Sequence, residues 1–128
     1  MRLSTPLSLL LAPLSVSAII TGLTAPPTIT PNSNITLTLT TSDYIQAVTD
    51  VSCAFGIAPG AGYPDSLGTL IYSAYLGPAL SNTLQPIPFT VQVPAGTQTG
   101  PALVAVAVTS LYGVDNEPVV NLFNTTVT

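Results

Sequence analysis

From Asn34 to Thr40 the chain alternates strictly between apolar and hydroxyl side chains. Ile35, Leu37 and Leu39 point one way, and the threonines between them point the other. That two-residue period is the signature of a strand with one buried face. Val51, Cys53, Phe55 and Ile57 predict a second inward row, with Asp50, Ser52 and Ala54 opposite. Phe89, Val91 and Val93 predict a third, flanked by Thr90 and Gln92. Residues 102–111 are apolar at most positions, which suits a central strand covered on both faces. Phe123, Thr125 and Val127 alternate with Asn124 and Thr126, so Asn124 is predicted to face away from the core.

Turn chemistry separates these runs. Pro31-Asn32-Ser33, the stretch from Pro94 to Pro101, and Tyr112 to Pro118 are rich in Pro, Gly, Asn and Asp. Such residues preset or tolerate turn dihedrals. No stretch after residue 18 shows a capped stripe of helical period. The pattern predicts an all-β fold, an immunoglobulin-like antiparallel β-sandwich of about seven strands. The Cys…Trp…Cys signature of antibody domains is absent, so this expectation rests on pattern alone. Residues 58–88 break the alternation and read as an irregular segment holding three of the five tyrosines.

The first 18 residues read as a secretory signal peptide. Arg2 supplies the positive region, Leu7 to Val16 the apolar run, and Val16-Ser17-Ala18 the small residues before a cut. The apolar run is about half the ~20 residues that span a bilayer, and Pro13 interrupts it. A later cut after Ala25 would place Pro26 first. Residues 19–128 are then expected to form a single secreted domain of about 110 residues.

Charge changes the picture more than length. The chain holds five acidic side chains, one basic side chain and no histidine, for a net charge of −4. The one basic residue is Arg2, inside the expected leader. Nucleic acid is therefore a poor partner, because its phosphates are held by Lys and Arg. Insertion into a membrane is not expected. Without His or Lys, most acid–base and nucleophilic mechanisms lack a partner group. Ser-His-Asp and Cys-His arrangements are excluded, and a zinc site would need His or several Cys. Asp115 and Glu117 are the nearest thing to a carboxylate pair, but Asp115-Asn116 reads as a turn. They lack the calcium-loop spacing. The expectation is no enzyme, no metal and no cofactor.

Cys53 is the only cysteine, so no internal disulfide can form. On an inward row it reads as a small buried hydrophobe. Asn34-Ile35-Thr36 and Asn124-Thr125-Thr126 are N-glycosylation sequons, making Asn34 and Asn124 the candidate sugar-bearing residues. Tyrosine is enriched at protein interfaces, so Tyr44, Tyr63, Tyr72, Tyr75 and Tyr112 are the candidate contact residues. For the three in residues 58–88, the competing reading is that they close the end of the core.

Several runs taken in order carry a resemblance. They are Ile19-Ile20-Thr21-Gly22-Leu23, Pro31 to Leu37, and most strongly Asp43-Tyr44-Ile45-Gln46-Ala47-Val48-Thr49-Asp50-Val51-Ser52. Ala54 to Pro59, Leu67 to Leu70, Tyr75 to Pro78, Val93 to Gly96 and Ser110 to Gly113 continue the series. Together they resemble the fungal necrosis-inducing secreted protein (Nis) effector family. The resemblance implies a monomeric effector, secreted to the host apoplast, with the host cytoplasm as a second compartment left open. It implies suppression of plant pattern-triggered immunity through binding of host immune receptor-like kinases, and host necrosis for some members. It carries over no catalytic residue. A different class of function stands beside it: a structural module of the fungal cell wall or matrix.

Overall fold

A computed structural model describes residues 17–128. The expected leader lies outside the described residues except for Ser17 and Ala18. Seven strands follow in chain order: β1 (Ala18–Thr24), β2 (Asn34–Asp43), β3 (Val48–Pro59), β4 (Thr69–Tyr75), β5 (Ile87–Gln92), β6 (Ala102–Tyr112) and β7 (Glu117–Val127). A single helical turn, α1 (Gly77–Leu80), follows β4. The strands form two antiparallel sheets, β1-β2-β5 and β4-β3-β6-β7. This is the immunoglobulin-like sandwich read from the sequence, with the fourth strand beside the third.

The predicted rows meet between the sheets. Ile35, Leu37 and Leu39 of β2 face Cys53, Phe55 and Ile57 of β3 and Val104, Val106 and Val108 of β6, all buried in one cluster. Ile87, Val91 and Val93 complete it from β5 and its end. β6 pairs along its whole length with β3 on one side and β7 on the other, as its nearly continuous apolar sequence requires. Burying each large aliphatic or aromatic side chain stabilises the fold by roughly 1.5–3 kcal/mol.

Three features differ from the sequence reading. Ala18–Thr24 is a strand, with Ile20 and Leu23 both inward although three residues apart. A register shift between Ile20 and Gly22 explains this, because Thr21 bulges and resets the alternation. A second shift between Asp50 and Ser52 does the same around Val51. Asp50, expected on the outer face of β3, therefore points inward and is 2% exposed. The third is within residues 58–88, where Thr69–Tyr75 is an ordered edge strand rather than irregular chain. Its alternation is hidden by another shift, opposite Phe55 and Gly56.

Ala18, the last residue of the expected leader, starts β1 opposite Asp43. A cut after Ala18 leaves β1 starting at Ile19; a cut after Ala25 would remove Ile20 and Leu23 from the core.

Candidate functional site

The outer face of the four-stranded sheet is built from small residues. Ser52, Ala54, Gly56 and Ala58 of β3 lie beside Thr109, Ala107, Ala105 and Leu103 of β6. The lower half of this face is closed by the 60–68 loop. A Cβ at Gly56 would collide with the Leu67 carbonyl, and one at Gly62 would stand 2.8 Å from the Leu103 side chain. The loop's close approach explains why Gly56 tolerates no side chain. The upper half stays open as a shallow depression of about 420 Å³, floored by Ser52, Ala54, Ala107 and Thr109 and walled by Ser73 and Tyr75. Across β6, the exposed Val120 and Leu122 of β7 stand opposite Thr109 and Ala107. No charged side chain lines the depression. What it offers is apolar, hydroxyl and aromatic contact.

The five candidate tyrosines are not brought to one place. Tyr75 is 74% exposed beside the depression, with its ring against Gly77. Tyr72 points inward at the sandwich edge, its ring centroid 6.3 Å from Phe55 and 5.8 Å from Phe89, so it closes the core. Tyr63 is exposed on the 60–68 loop. Tyr44 and Tyr112 meet edge to face at 6.0 Å at the opposite end of the sandwich. Sequence reasoning did not find Leu70, Val120 and Leu122 as exposed apolar groups, since they sit in strand-like runs whose outward face only the pairing reveals.

A second cavity of about 420 Å³ opens at the lower end, lined by Ile57, Pro59, Thr69, Pro94, Thr97 and Gln98 among others. It too holds no ionisable group. Asn34 and Asn124, the sequon asparagines, are both exposed. Asn124 sits opposite Ala105 on the outer face, so a glycan there would stand beside the depression.

Among the described residues, Asp50 and Cys53 are shifted from their ordinary titration, and both are buried. Burial pushes the Asp50 carboxyl above its ordinary value, opposed by hydrogen bonds donated by the Ser110 hydroxyl and the Ile20 amide. The Ser110 hydroxyl lies 2.6 Å from the carboxylate, and the Asp50 amide donates to the Ser81 hydroxyl at 2.9 Å. Asp50 thus ties β1, β3, β6 and the chain after α1 together. Burial pushes the Cys53 thiol up to about 11, which keeps it protonated and unreactive at neutral pH. Among the described residues, no three His, Cys, Asp or Glu side chains come together in a cluster able to hold a metal ion. Among the described residues, no helix is long and apolar enough to cross a membrane.

Fold and surface together define a small β-sandwich whose two depressions are lined by no charged side chain and whose shifted ionisable groups, Asp50 and Cys53, are buried. Its sequence places it further: residues 16–128 match the Nis1 family, and the chain belongs to that family. It is 44% identical over 113 residues to necrosis-inducing secreted protein 1 of Colletotrichum higginsianum, spanning 88% of this chain and 78% of that protein. It is 40% identical over 112 residues to the protein of the same name from Colletotrichum orbiculare, spanning 87% of this chain and 69% of that one.

Proposed function

We propose that this chain is a secreted, non-enzymatic fungal effector that binds host immune receptor-like kinases and so suppresses plant pattern-triggered immunity, with host necrosis as a visible outcome. The observation that carries this reading is family membership over residues 16–128, with relatives named for secretion and necrosis induction. The chemistry supports it from another side. Beyond Arg2 the chain has no basic residue and no histidine, so action through protein contact suits it better than catalysis. Tyr75 and the charge-free depression beside it match the aromatic, charge-depleted centre of protein interfaces.

The test is co-precipitation of the secreted protein with a panel of purified kinase domains from plant immune receptor-like and receptor-like cytoplasmic kinases. A phosphorylation assay on each retained domain follows. Retention of at least one domain, with its activity falling as the protein is added, is the expected result. Retention of none would overturn the kinase-binding reading. Recovery in glucan or chitin pellets instead of culture fluid would favour a wall module.

A further inference from the structure

At the upper end of the sandwich, two turns stand side by side. One is residues 44–47, between β2 and β3. The other is residues 113–116, between β6 and β7. Val114 and Asp115 occupy the central positions of a β-turn in which the Asn116 amide donates to the Gly113 carbonyl at 3.3 Å. Gly113 and Asn116 carry the positive φ values, 73° and 56°, that close so short a connection. The turns are joined by the Gly113 amide donating to the Ala47 carbonyl at 3.0 Å. The edge-to-face Tyr44–Tyr112 pair lies at their base.

Ile45 is 98% exposed and Val114 is 96% exposed, more than any other large apolar side chain among the described residues. Turn tips ordinarily carry Gly, Asn, Asp or Ser. An isoleucine and a valine there contribute nothing to the core. Around them stand Asp43, Asp115 and Glu117, three of the four exposed acidic side chains of the described chain; Asp65, the fourth, lies at the other end. Among the described residues no Lys, Arg or His balances them; a cut after Ala18 leaves one ammonium, at Ile19 across from Ser42 and next to Asp43.

We infer that the Ile45 and Val114 tips, with Asp43, Asp115 and Glu117 around them, form a docking surface for a partner protein whose apolar pocket is edged by lysine or arginine side chains. This rests on the protein-binding reading above and adds, beyond the Tyr75 depression, a second contact region at the upper end of the sandwich and the charge its partner carries there. Charge complementarity selects the occupant. Three carboxylates with at most one ammonium among them repel an anionic lipid surface and would be costly to bury in a bilayer. They equally disfavour a second copy of this end. A basic rim pairs with them, speeding encounter, while the apolar tips fill the pocket. The hydrogen bond joining the turns and the one closing the second turn hold the tips in place before binding, which lowers the ordering cost.

The experiment compares the wild-type secreted protein with Ile45→Ser/Val114→Ser and with Asp43→Asn/Asp115→Asn/Glu117→Gln. The probe is the purified kinase domain most strongly retained in the co-precipitation above. The tip variant is expected to bind at least about tenfold more weakly, as loss of an anchoring contact does. Wild-type affinity should fall as salt rises from about 0.05 to about 0.5 M, and the charge variant should lose most of that dependence. Both variants should melt within a degree or two of wild type, because every altered side chain is exposed. Unchanged binding by both variants would overturn this surface and leave the kinase-binding reading standing. If wild type binds no kinase domain, that reading and this surface fall together. Co-sedimentation with phosphatidylcholine or phosphatidylserine vesicles that the tip variant abolishes would overturn the protein partner in favour of lipid. A melting temperature lowered by several degrees would mark the tips as structural and overturn the proposal.

Discussion

β6 and β4 flank the same strand, β3, and both are uncharged runs of apolar and small residues. Yet Val104, Val106 and Val108 of β6 are buried, while Leu70 and Tyr75 of β4 stand in solvent. Composition does not separate them; position does. β6 has a strand on each side and faces the opposite sheet along most of its length. β4 is an edge strand with one partner, and only Ile71, Tyr72 and Ala74 reach toward the core. An uncharged, proline-free edge is usually guarded against unwanted pairing. Here a bulge opposite Phe55 and Gly56 is the guard.

The sharpest way to break this comparison lies beneath it, at Phe55, which pairs with both strands. Phe55→Ala should cost about 3–5 kcal/mol in urea unfolding. A near-neutral result would mean the register of β3 is wrong. Asp50→Ala comes next, since it leaves the Ser110 hydroxyl and the Ile20 amide without their buried acceptor. It should cost about 1–3 kcal/mol. It should also alter the pH profile. Because burial raises the folded-state Asp50 value, its contribution is fully present below the ordinary carboxylate value and is lost as pH rises through the raised one. Melting temperatures across that window should fall for wild type and stay flatter for the variant. A profile unchanged by the substitution would refute the buried-carboxyl assignment.

Smaller effects are expected further out. The Thr41 hydroxyl oxygen is buried with no hydrogen-bond partner among the described residues. Thr41→Val should therefore be neutral or stabilising by up to about 1 kcal/mol, measured by thermal unfolding. A clear loss of stability would reveal a partner for that hydroxyl. Least of all, Tyr75→Ala should change stability by less than about 0.5 kcal/mol while weakening retention of the kinase domain. A melting temperature lowered by several degrees would place β4 with β6 as core.

Much of the fold was legible. The Asn34–Thr40 alternation, the apolar run at 102–111 and the rows from Cys53 to Ile57 and at Val91 lie where the period places them. The misses have one cause. Bulges at Thr21, Val51 and Ile71 each shift a two-residue period by one, and each follows from strand pairing that no local pattern encodes. Asp50 was placed outward for this reason alone. The candidate site was less legible. The five tyrosines are scattered; Val114 lies in a run that Gly113, Asp115 and Asn116 mark as a turn, but Ile45 carries no sequence mark that separates a bare turn tip from a buried strand residue.

Alternation, proline placement and the near absence of basic residues were enough, as sequence, to set an all-β body poor in the Lys, Arg and His side chains that most acid–base chemistry uses. Those properties are local or compositional, so no neighbour in space is needed to read them. Which strand became an edge, which carboxylate went inside and which two turns came to stand together were decided only when the sheets paired. Strand register and sheet order bring residues distant in the chain into contact, and the exposure of every side chain follows from that contact.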